Sequence, residues 1–188
     1  MKKFAKLSIA MFIVLTLGQC IPQTAIAANH RETRKPKIEE KTSDRPALKK
    51  LEGTVVSQDS KTSFYMNVGN VSDITWTRST YYDEANYKKD GAEMIAYFDV
   101  NGSFVGTTNI KNFSDISSSL QKGIKKLYPD CTPGTVTFFK ANEDNTTDMI
   151  LYGVQFESKT HYFVELTKGD SKFVIMDSSG ELSLFKQL

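Results

Sequence analysis

The chain has 188 residues, 39% of them apolar and 24% charged, with 24 basic and 22 acidic side chains and a formal net charge of +2. The balance is uneven: the first 50 residues carry 11 of the basic groups and 4 of the acidic ones, which leaves residues 51–188 with 13 against 18, a net of −5. A mildly acidic body lacks the clustered basic face through which nucleic acid is bound, and two cysteines rule out a disulfide framework.

Residues 1–27 have the organisation of a signal peptide. Lys2, Lys3 and Lys6 form a positive start, Leu7 to Leu17 is an apolar run, and Ala25-Ile26-Ala27 supplies the small residues that a signal peptidase requires. The apolar run is about half the roughly 20 residues that cross a bilayer as a helix. A periplasmic or secreted product is therefore expected, with no membrane span. Leu17-Gly18-Gln19-Cys20 partly matches a lipoprotein box, with Gln19 where a small residue belongs; a lipid anchor at Cys20 is the alternative to ordinary cleavage. With either cleavage Cys131 is the one cysteine available to the folded domain, and an intrachain disulfide is excluded.

Residues 28–50 read as a flexible, charged leader. Between Asn29 and Lys50 only Ile38, Ala47 and Leu48 are apolar, too few to offset the entropy of ordering the segment. Residues 51–188 are long enough for a single domain with a hydrophobic core. A short helix is predicted over Thr62 to Val68, followed by strands over Ile74 to Thr77, Tyr81 to Lys88, Glu93 to Phe98 and Ser103 to Ile110.

The best-defined helix is Phe113 to Tyr128, where Ile116, Leu120, Ile124 and Leu127 form one stripe, Ser114 or Asp115 can cap the start, and Pro129 stops the end. The period then changes to two. Strands are predicted over Thr135 to Lys140, Met149 to Glu157, His161 to Thr167, Lys172 to Asp177 and Leu182 to Lys186. Their connections are too short for parallel crossovers, so the strands form an antiparallel meander. Asp99-Val100-Asn101-Gly102 and Asp177-Ser178-Ser179-Gly180 each separate two apolar strands. A helix followed by a meander, twice, suggests a tandem duplication with half-repeats 60–110 and 113–188.

The order Trp76, Ala85-x-Tyr87, Ala96-Tyr97-Phe98-Asp99-x-x-Gly102, Thr107-Thr108, a helix ending Leu127-Tyr128-Pro129, Tyr152-x-Val154 and Asp177-x-x-Gly180 resembles the PepSY-like, β-lactamase-inhibitor-like (BLIP-like) family of small exported bacterial proteins. The resemblance covers roughly residues 60–188. It implies an α+β fold: an antiparallel sheet of about eight strands, two helices on one face, and the other face open. This chain departs from the pattern in a short first helix and in one extra strand or hairpin in its second meander.

Motifs for chemistry fail on spacing. From Asp99, a calcium loop requires glycine at position 6 and an acid at position 12; glycine arrives at position 4, and position 12 is Ile110. Gly102 and Gly106 are one residue too close for a phosphate loop, and no lysine follows. The 99–102 stretch thus reads as a tight turn with Gly102 at positive φ, and Gly106 as a point of close packing or a bulge. The acidic run from Asn142 to Asp148 reads as a solvated hairpin loop. His161, at a strand start, and Cys131, beyond a helix C-terminus where the dipole disfavours thiolate, give no activated nucleophile. Neither a metal nor a cofactor is expected.

What remains is surface. If Ile74/Trp76, Val136/Phe138 and Tyr152/Val154 face the helices, then Tyr97, Phe139 and Phe163 point outward, with Tyr81 and Tyr82 at the rim. Exposed rings on a rigid sheet are typical anchors for recognition. An exported, non-enzymatic domain that binds a protein or peptide partner through these five residues is expected, with inhibition as the function the resemblance implies. An envelope structural or stress protein without a discrete partner, and a binder of a small apolar ligand between sheet and helices, are the alternatives.

Overall fold

The computed structural model describes residues 45–188, residue 179 excepted; the predicted signal peptide, most of the leader and Cys20 lie outside the described residues. Helix α1 (Gln58–Asn67) precedes strands β1 (Thr75–Arg78), β2 (Asp83–Lys89), β3 (Ala92–Phe98) and β4 (Phe104–Lys111); a 3-10 turn (Phe113–Asp115) and α2 (Ser118–Leu127) follow. Then come β5 (Thr132–Ala141), β6 (Met149–Leu151), β7 (Val154–Phe156), β8 (His161–Lys168), β9 (Ser171–Ser178) and β10 (Glu181–Gln187). Eight strands form one antiparallel sheet in the order β1-β2-β3-β4-β5-β8-β9-β10, and β6-β7 is a separate hairpin. The fold class and the strand number of the main sheet are those expected.

Helix α2 packs Ile124 and Leu120, together with Ile116 just before it, against Val136, Val164, Leu166 and Ile175 of β5, β8 and β9. It starts later than the sequence predicts. Asp115 accepts from the Asn112 amide at 2.9 Å and closes a separate 3-10 turn, Ile116 is extended, and Ser117 caps the helix proper by accepting from the Leu120 amide. Two capping groups in succession divide one apolar stripe into two elements.

Helix α1 starts earlier than expected, at Ser57, whose hydroxyl accepts from the Ser60 amide. Its apolar content is too low to hold it by burial, so it is held at both ends. Phe64, fully buried, sits among Trp76, Tyr87 and Phe98, with ring centroids 5.6, 5.2 and 6.3 Å away. At the N-terminus, the fully buried carboxylate of Asp83 accepts from the Ser57 amide (2.9 Å), the Ser60 hydroxyl (2.8 Å) and the Arg78 guanidinium (2.7 and 2.9 Å).

The Asp99–Gly102 turn is as read from sequence. Gly102 has φ 72°, its amide donates to the Asp99 carbonyl at 2.9 Å, and the Asp99 carboxylate accepts from the amides of Asn101 and Ser103. A Cβ on Gly102 would lie 2.7 Å from Asp59 of α1, and one on Gly106 would lie 2.5 Å from the Lys140 carbonyl. Both glycines are therefore closeness requirements of the scaffold.

Two predictions concern Asp83. Replacing it with Ala strands the nearly buried Arg78 and uncaps α1, a loss of about 3–5 kcal/mol in urea unfolding. Burial raises the Asp83 pKa, but the Arg78 guanidinium and the Ser57 and Ser60 donors outweigh it and hold the carboxyl below its ordinary value. Its contribution is therefore present above the unfolded-state value near ~4 and fades as pH falls through the lower folded value. The stability gap between wild type and Asp83→Asn should accordingly narrow below about pH 4; a gap that is constant across pH 2–7 would contradict this.

Candidate functional site

The sheet face opposite the helices is where the sequence places its exposed rings, and the structure closes it. Tyr97, Phe139 and Phe163 do point away from the helices, but they are 7%, 0% and 0% exposed. The cover is the β6-β7 hairpin: Met149 and Phe156 pack into their cluster, with the Phe156 ring edge-on to Phe139 and Phe163 at 5.6 and 5.1 Å. Tyr82, expected at the rim, is buried and its hydroxyl donates to the Asp148 carbonyl at 2.9 Å, while Tyr81 is half-buried against the same cluster. The open aromatic face is thus corrected to a closed one, and all five candidates are parts of the core or its margin. Burial pushes the Tyr97 phenol up to about 12, against the opposing hydrogen bond with Thr108.

Local geometry hides the cover from the sequence pattern. Met149 to Glu157 alternates like one strand, yet Tyr152 and Gly153 both take left-handed backbone, with φ 51° and 75°, and reverse the chain between them. Tyr152 and Val154 therefore lie on the hairpin, and the Tyr152 hydroxyl hydrogen-bonds Thr137 at 3.0 Å instead of facing a helix. The preceding segment is no simple hairpin loop either. Asn142 and Asn145 donate their side-chain amides to the Phe104 carbonyl at 2.9 and 3.0 Å, and Thr147 donates to Asp99, so the run is tied down as it carries the chain to the opposite face.

The start of the described chain completes the cover. Arg45 pairs with Asp148 at 3.2 Å, Gln155 donates to the Pro46 carbonyl, Leu48 packs on the aromatic cluster, and the Leu51 amide donates to the Thr80 carbonyl. Residues 45–50, expected to belong to a flexible leader, are held against the domain.

The helix side is the face that stays accessible. Eight strands spaced ~4.8 Å apart span ~34 Å, and two helices each ~10 Å across leave a strip of sheet uncovered. That strip is the centre, over β4, β5 and the start of β8. Register places Thr107 opposite Lys140, Asn109 opposite Phe138 and Lys111 opposite Val136, and continues from Phe138 to Tyr162. Because Val136 packs beneath α2, Phe138 and Lys140 share its face.

Phe138 and Tyr162 are half-buried and stacked, with centroids 4.6 Å apart and planes 32° apart, and the Lys111 ammonium lies 5.6 Å from the Phe138 centroid. Beside them, an open trough of about 600 Å³ lies at the C-terminal end of α1, lined by Asn67, Val68, Tyr87, Lys89, Met94, Phe104, Thr107 and Lys140. None of these residues was singled out as a site from the sequence. A signal was available: in Phe138-Phe139 a period of two sends one ring to each face, so burying Phe139 leaves Phe138 on the other side.

The groups considered for chemistry are engaged or isolated. The His161 Nδ1 is 2.9 Å from the Asp177 carbonyl and its ring packs against Phe156 and Phe163; Cys131 is half-buried beyond α2. Among the described residues no three His, Cys, Asp or Glu side chains converge as metal ligands, and no helix is long and apolar enough to cross a membrane.

No family model matches the sequence, and no curated relative does. Among solved structures, the chain is similar to a BLIP-like protein from Bacteroides fragilis at 19% identity and TM-score 0.54, over 71% of this chain and 86% of that one. It is also similar to DUF2874 family proteins from Bacteroides uniformis (11% identity, TM-score 0.56, 71% and 89% covered) and Bacteroides ovatus (11%, 0.55, 70% and 89%). At these identities the likeness establishes the fold, which is the BLIP-like one.

Removing the cover should be costly. Phe156→Ala is expected to lower unfolding free energy by about 3–5 kcal/mol and to open the aromatic cluster to a hydrophobic dye. A variant with wild-type stability and no dye binding would mean that the hairpin does not seal this face.

Proposed function

We propose that the protein is an exported, non-catalytic binding domain that recognises a protein or peptide partner through the centre of the helix-side sheet face, over β4, β5 and the start of β8, and the trough beside it. The observation that carries this reading is the Phe138–Tyr162 pair, half-buried, with ring centroids 4.6 Å apart, on a continuous sheet next to that open trough. Large rings held by strand backbone offer contact area at little conformational cost, and binding energy in interfaces concentrates on such anchors.

Export is inferred from residues 1–27, with their positive start, apolar run and Ala25-Ile26-Ala27. The non-catalytic part rests on the commitment of His161 to the Asp177 carbonyl and on the position of Cys131 beyond a helix C-terminus. The BLIP-like fold makes inhibition of the partner the outcome to measure first. A small apolar ligand is the weaker reading, because the trough is open to solvent and edged by Asn67, Asn142, Glu143 and Asp144, whereas such ligands favour enclosed apolar pockets.

Phe138→Ala combined with Tyr162→Ala tests the reading directly. Each substitution removes a half-buried ring, at about 1–2 kcal/mol of stability, so the double variant should still fold. Crosslinking in the exported fraction is expected to give a saturable partner with wild type and lose it with the double variant; an unchanged set of crosslinked species would sink the proposal.

A further inference from the structure

The centre of the helix-side sheet face carries a charge pattern as well as rings. Lys140 and Lys111 stand on the same face as Phe138 at opposite ends of the strip, because Thr107 pairs with Lys140 and Lys111 with Val136. Residues 107 and 111 of β4 are separated by four strand steps, or ~13 Å, and the Asn109–Phe138 pair lies midway between them. No carboxylate among the described residues forms an ion pair with either lysine. Glu143 and Asp144, both exposed, edge the trough beyond Lys140.

Two ammonium groups without an ion-pair partner among the described residues, with an aromatic pair at the level between them, define a complementary ligand. In an extended chain every second side chain points the same way, so residues i, i+2 and i+4 share a face and span ~13 Å. That span matches the distance between the backbone levels of the two lysines. We propose that this strip of the sheet takes an extended peptide segment whose residues at i, i+2 and i+4 are a carboxylate, an aromatic and a carboxylate. The aromatic lies on the Phe138–Tyr162 pair, and the carboxylates meet Lys111 and Lys140. The acidic pair beyond Lys140 repels a further carboxylate there, which ends the acidic motif at that lysine and sets the limit of its register. This inference rests on the centre of the helix-side face being the binding surface.

The test uses the purified protein and a displayed library of random ten-residue peptides, followed by anisotropy titration of labelled synthetic peptides. The expected selection is Asp or Glu, any residue, an aromatic, any residue, Asp or Glu. Replacing either carboxylate by its amide should weaken binding about tenfold, and raising salt from 50 to 500 mM should weaken it further. The double variant Lys111→Glu plus Lys140→Glu, shown by circular dichroism to be folded, should select Lys or Arg at the two outer positions instead. Lys111→Gln plus Lys140→Gln, the milder pair, should lose the acidic preference without acquiring a basic one.

Selected peptides that carry no acidic pair but are lost with Phe138→Ala and Tyr162→Ala overturn the charge motif and leave the Phe138–Tyr162 strip as the binding surface. Acidic peptides that bind equally well to the charge-reversed and the double-alanine variants overturn both. Equal binding of polyglutamate, with no aromatic, overturns the spacing argument by showing that charge alone is read.

Discussion

An eight-stranded sheet has two faces to shield from water, and the described residues supply two ten-residue helices and one short hairpin with which to do it. The hairpin is spent on the face that carries Tyr97, Phe139 and Phe163, where Phe156 and Met149 fill the centre of the cluster. The helices must share the other face. Strand spacing and helix diameter together leave its middle uncovered, so the accessible strip is a consequence of geometry more than of any single side chain.

How each helix is held explains where that strip lies. Helix α2 carries a regular apolar stripe and settles over β5, β8 and β9 by burial. Helix α1 is short and polar, in a range where isolated helices are marginal, and depends on two point anchors. Phe64 fits an aromatic box and the Asp83 carboxylate gathers donors from Ser57, Ser60 and Arg78. Those anchors belong to β1, β2 and β3, so α1 is fixed toward one edge of the sheet and the trough opens at its C-terminal end.

The surface that results is rigid and asymmetric. Its floor is strand backbone, its aromatic pair is supported from below by the same sheet that buries Phe139, and its charge runs from Lys111 past Lys140 to Glu143 and Asp144. A surface held in this way is preorganised. The connection from β5 to β6 serves both faces: Asn142 and Asn145 clamp the Phe104 carbonyl beside the trough, and the chain then continues into the hairpin that seals the opposite side.

Much of this was legible in the residues alone. Alternation placed the eight sheet strands, the Asp99–Gly102 turn followed from its side-chain acceptors and glycine, and Phe139 and Phe163 were correctly assigned to the face away from the helices. Periodicity reports which side of a strand a residue faces, because that is a local property of extended backbone. Whether the side is covered is decided by segments distant in sequence. The turn at Tyr152-Gly153, the lodging of Phe156 between Phe139 and Phe163, and the docking of Arg45 and Leu48 beside them are long-range events with no local pattern to announce them. The sequence by itself determined the fold class and the facing of the rings on the sheet strands; only the tertiary structure decided which rings are buried and which stay partly exposed.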